Sequence, residues 1–139
     1  MGLSRNQEHY VVMTVIYDEL SDFFLGEEKS FRDARQLIAD VAELPYSEVS
    51  DYVKNVVAYS LNNYGQIKDV FVPYLRGWKW DRLPLLTQSI LLMSFAHMQV
   101  EKVDKKVVIN VAVDLAKKYV DNIDQKQSKF INAILDGVL

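Results

Sequence analysis

The side chains able to do chemistry are few and widely separated. His9 and His97 are the only histidines, cysteine is absent, and no HExxH or related spacing occurs, so a transition-metal site has no framework. Neither GxxxxGK[ST] nor GxGxxG is present, which removes the common backbone cradles for phosphate. Aspartates and serines are plentiful, but those that can be placed stand where helices begin and act as caps. With no nucleophile, base or metal ligand set in a recognisable pattern, the sequence points away from an enzyme and away from cofactors. An absence of cysteine also excludes disulfides and fits a reducing, cytoplasmic location.

Binding chemistry is better supplied. The net charge of −3 is unevenly divided: residues 1–75 carry 6 basic and 12 acidic side chains (−6), whereas residues 76–139 carry 10 basic and 7 acidic (+3). Lys102, Lys105, Lys106, Lys117, Lys118, Lys126 and Lys129 all lie in the positive half. Lysines sharing a face can hold a polyanion whatever the net charge of the molecule, because phosphate contacts depend on local field. Trp78 and Trp80, placed among Lys79 and Arg82, could stack on bases, although burial at the base of a helical bundle suits two large rings better.

The elements that must position these groups are helices. Apolar residues recur at three- and four-residue steps, and 139 residues contain only 5 glycines and 3 prolines. Ser4 and Gln7 form a capping-box pair ahead of a helix from Arg5 to Phe24, whose Val12, Ile16, Leu20 and Phe23, with Met13 and Phe24, make an apolar stripe ending near Gly26. Ser30 and Asp33 cap a short second helix that ends at Leu44-Pro45. Ser47 caps a third, lined by Val49, Val53, Val56 and Val57, with a break or bend at Asn62–Gly65 before Ile67–Leu75. Pro84 starts a central helix, PLLTQSILLMSFAHM, that is apolar nearly all round. Asp104 caps Lys105–Tyr119, and Asp124 caps a last helix to about Asp136, with Phe130, Ile131, Ile134 and Leu135 inward. The expectation is one all-α domain over residues 1–139, with six or seven helices and no run long enough to span a membrane.

The second half carries a recognisable pattern: Pro73-Tyr74-Leu75, then Trp78 and Arg82-Leu83, then Ile90-Leu91, then Lys106-Val107-Val108-Ile109-Asn110 running through Ala112–Lys117, and finally Lys129-Phe130-Ile131-Asn132 with Ile134-Leu135-Asp136. In order and spacing it resembles the NusB family of transcription antitermination factors. The resemblance implies two three-helix bundles set across each other and a non-enzymatic protein. It further implies binding, with the ribosomal protein NusE, to the boxA element of nascent ribosomal RNA, within the antitermination complex on RNA polymerase. Relatives include monomers and dimers, so a homodimer is left open.

Carried over residue by residue, the resemblance makes Arg5 the remnant of an arginine-rich motif at the start of the first helix, with His9 in the same segment. Lys117, Lys129 and Phe130 become RNA contacts, to which the lysine cluster at the ends of the last two helices adds Lys118 and Lys126, and Tyr17 a partner-facing or core residue. The segment Arg5–His9 keeps one fixed positive charge where the family has several; Val111 and His97 replace glutamates and Ala133 a glycine. Fewer phosphate contacts mean a weaker electrostatic component of RNA affinity. The competing expectation is therefore a protein-interaction module on the same fold with reduced or lost RNA binding.

Overall fold

Ser4 fixes where the first helix begins. Its Oγ accepts from the Gln7 N–H (3.2 Å), and the Gln7 side-chain oxygen accepts from the Ser4 N–H (2.7 Å), satisfying two donors that a helix start leaves open. A computed structural model describes residues 2–25, 33–122 and 126–139. Among these residues there are seven α-helices and no strand: α1 (Arg5–Phe24), α2 (Arg35–Ala42), α3 (Asp51–Asn62), α4 (Tyr64–Phe71), α5 (Leu85–Val100), α6 (Lys105–Tyr119) and α7 (Gln127–Val138). The expected roles of Gly26, Ser30 and Asp124 lie outside the described residues.

Helix α5 is the centre of the fold. Ile90, Leu91, Leu92 and Met93 are all inaccessible, as four consecutive residues can be only when partners cover every face. Helices α1 and α3 pack on one side of it and on each other, with α2 against α1; α6 and α7 pack together and cover the other side. The group of α1, α2 and α3 and the α6–α7 pair are thus joined through α5. Val12, Ile16 and Leu20 of α1 and Val53, Val56 and Val57 of α3 face this core, as their spacing requires. Phe24, placed on the same stripe from sequence, is instead 44% exposed at the last residue of α1, in edge contact with the Tyr64 ring.

Two further expectations need correction, and one open alternative is resolved. The third helix is capped by Ser50, whose Oγ accepts from the Val53 N–H; Ser47 lies in a 3₁₀ turn, Tyr46–Glu48, that the fixed φ of Pro45 introduces. At Asn63 the chain breaks rather than bends, and α4 starts at the next residue. The two tryptophans also part company. Trp80 is buried, stacked on Phe71 at 5.9 Å and donating from Nε1 to the Tyr64 hydroxyl, while Gln88 holds the Trp80 and Leu83 carbonyls from below. Trp78 is 52% exposed. Arg76 and Gly77 adopt positive φ values of 43° and 91°, turning the chain so that the two rings leave it in different directions.

Candidate nucleic-acid interface

The last turn of α6 places Lys117, Lys118 and Tyr119 on the surface, at the helix end where cations also complement the dipole. Helix α7 returns antiparallel: Lys105 at the start of α6 pairs with Asp136 near the end of α7 at 3.3 Å, so Lys126 and Lys129 lie at the same end of the pair as Lys117 and Lys118. All four lysines are exposed. The entry to α7 is set by Asp121, which accepts from both the Ser128 N–H (2.9 Å) and its hydroxyl (2.6 Å); these bonds hold its carboxyl below the usual range. Lys126 precedes the helix in a left-handed conformation. Phe130, expected inward, is half-buried and leans on Trp78.

Against the end of α6 lies the first part of α1. Between them is a small cleft of about 80 Å³ lined by Asn6, His9, Tyr10, Asp114, Lys118 and Tyr119. Its rim is an aromatic pair that sequence reasoning missed: Tyr10 and Tyr119, centroids 5.4 Å apart, are 41% and 36% exposed. The signal was available, since Tyr10 stands off the apolar stripe of α1. Tyr17 follows two helical turns later on the same face and is half-buried. Stacking surface and ammonium groups in one place are what a single-stranded nucleic acid requires.

Arg5 lies outside that cleft and His9 only lines its inner wall, and here the expectation is revised. The Arg5 guanidinium donates to Glu101 at the end of α5 (2.7 Å), approaches Glu8 at 3.5 Å and lies 3.7 Å over the Tyr52 ring. Tyr52 meets His9 Nδ1 at 2.7 Å, and Glu101 also meets His97 Nε2 at 2.8 Å. Arg5, His9, Tyr52, His97 and Glu101 thus form one polar knot joining α1, α3 and α5. Both imidazoles are buried, 6% and 3% exposed. Desolvation, reinforced by the Arg5 charge, pushes His9 down to about 4, and burial lowers His97 as well. Burial tends to raise Glu101, but the hydrogen bond from His97 and the charge of Arg5 outweigh it and leave the carboxyl lowered. A neutral, enclosed imidazole offers no cation to a phosphate, and a guanidinium flanked by two carboxylates offers little.

Among the described residues no three His, Asp or Glu side chains converge as a metal site, and no helix is long and apolar enough to cross a membrane. The NusB family model matches residues 11–139. A transcription antitermination protein NusB from Macrococcus caseolyticus is 30% identical over the whole chain and 97% of its own length. One from Listeria monocytogenes is 31% identical over 74% of the chain and 77% of its own. The NusB relative from Chloroherpeton thalassium is 27% identical over 99% of the chain, which spans 62% of that protein. In fold, the chain resembles T. maritima NusB, with a TM-score of 0.77 at 22% identity over 99% of this chain and 92% of that one. It likewise resembles a chain in a crystal structure described as a plectonemic RNA supercoil, with a TM-score of 0.72 at 24% identity, covering 96% and 92%. The all-helical architecture, the motifs of its second half and these matches together show that the chain belongs to the NusB family of transcription antitermination proteins.

Proposed function

We propose that this protein, acting as one domain in the cytoplasm and catalysing no reaction, binds boxA-containing nascent ribosomal RNA jointly with ribosomal protein NusE, so that RNA polymerase resists termination. The observation that carries this reading is the surface where the tilted Tyr10 and Tyr119 rings meet beside Lys118, with Lys117, Lys126 and Lys129 at the same end of the α6–α7 pair. Phosphates would meet the lysines and bases the aromatic rings, including the exposed part of Phe130. Tyr17, on the same face of α1 as Tyr10, extends the surface toward the protein partner. Arg5 serves the contact by holding the start of α1 in place rather than by touching phosphate.

Gel-shift titration with boxA RNA, with and without NusE, tests the proposal. Binding should strengthen with NusE and weaken as salt rises, and Lys117→Glu/Lys118→Glu should reduce both affinity and salt slope. No binding at low salt in either condition would refute the RNA part. The commitment of Arg5 to Glu101 favours a second reading, a protein-interaction module without RNA affinity. Under that reading NusE is captured while the double lysine variant changes nothing.

A further inference from the structure

We infer that Trp78 and Phe130 form a stacking subsite for one unpaired base of the bound RNA, separate from the Tyr10–Tyr119 rim and resting on the RNA-binding reading above. The two rings are in tilted contact, centroids 6.0 Å apart and planes at 56°, and both line one open groove in which a base can lie against them. The groove has a volume of about 490 Å³, and its other walls include Tyr74, Ala133, Ile134 and Gly137.

The backbone presents Trp78 outward. Arg76 and Gly77 sit at φ 43° and 91°, and the Trp78 N–H donates back to the Leu75 carbonyl at 3.0 Å, closing a tight turn. Trp80, two residues on, takes the buried position against Phe71, so exposure of Trp78 is not needed to fill the core.

Charge selects the occupant. Arg76 lines the groove, Lys79 follows Trp78 and Lys129 precedes Phe130; none of the three has an ion-pair partner among the described residues. The nearest acids in sequence are already engaged, Asp81 with Lys68 and Asp136 with Lys105. Apolar ring faces bordered by uncompensated cations suit a nucleotide, whose base is flat and whose phosphate is anionic. An uncharged apolar peptide would leave those cations unused.

Trp78 and Trp80 are the only tryptophans, so fluorescence reads the site directly. The full chain with NusE is titrated with a short single-stranded boxA RNA, following emission and affinity for the wild type, Trp78→Phe and Trp78→Ala. The wild type should be quenched on binding. Trp78→Phe should lose the quench while keeping most of the affinity. Trp78→Ala should bind roughly 5- to 100-fold more weakly, the range for loss of one stacked base, with melting temperature and salt slope unchanged. RNA binding by the wild type without a quench, and with equal affinity in Trp78→Ala, overturns the subsite and leaves the RNA reading standing. Complete absence of RNA binding by the wild type overturns both. Loss of NusE affinity in Trp78→Ala, with direct RNA affinity intact, would make the groove a protein-docking site instead.

Discussion

Replacing Arg5 by alanine separates a structural clamp from an RNA contact. The side chain is half exposed, and its ion pair with Glu101 falls in the range of about 0.5–1 kcal/mol for such pairs. Its position 3.7 Å over the Tyr52 ring adds a cation–π contribution of about 0.5–1 kcal/mol. Removing a positive charge from the first turn of α1 returns roughly 0.3–0.5 kcal/mol through the helix dipole. The net expectation is a loss of about 1 kcal/mol, or roughly 3–5 °C in melting temperature for a domain of this size. His9 is held down partly by the Arg5 charge, so its pKa should also rise toward the ordinary value in the variant, visible by NMR titration. The salt dependence of RNA affinity should not change, whereas loss of one phosphate contact on a single strand would lower its slope by about 0.7. A variant of unchanged stability whose salt slope falls by that amount would refute the clamp.

Acid should destabilise the fold well above the carboxylate range. His9 has a folded pKa of about 4 against 6.5 unfolded, so the unfolded chain takes up the proton first and stability falls as pH drops from about 6.5 toward 4. The full linkage is roughly 3 kcal/mol, and about half that once solvent screening at the cleft is allowed for; urea midpoints at pH 7.5 and 5 should show it, and His9→Asn should flatten the dependence. Asp121→Ala removes both bonds to Ser128 and should cost about 1 kcal/mol by denaturant melts, concentrated in hydrogen exchange at the start of α7. Tyr10→Ala and Tyr119→Ala should each weaken RNA binding by roughly 5-fold or more without altering the salt slope, as loss of stacking requires.

Local signals in the sequence located the helices well. The Ser4–Gln7 box and the Asp104 cap placed α1 and α6 at their observed boundaries, and a segment apolar nearly all round identified α5 as central. Where two similar candidates lay close together, residue type alone could not choose. Ser47 and Ser50 both suit an N-cap, and only the 3₁₀ turn after Pro45 decides between them. Trp78 and Trp80 are chemically alike, and the positive φ of Arg76 and Gly77 sends one outward. At the candidate site, the lysines were legible because exposed cations keep their chemistry wherever the fold puts them. The polar knot was not, since Arg5 and Glu101 are 96 positions apart and nothing in either neighbourhood announces the other. Tyr10 gained its meaning only from Tyr119, across the interface of two helices.

The sharing of α5 between both helical groups has a consequence for synthesis. Helices α1 and α3 expose apolar faces whose cover, residues 85–100, is synthesised only after both of them are complete. Emerging segments therefore cannot complete a protected core early, and α6 and α7 must still follow before the far side of α5 is shielded. Such a chain stays vulnerable to proteases and to association with its neighbours until α7 has emerged and docked.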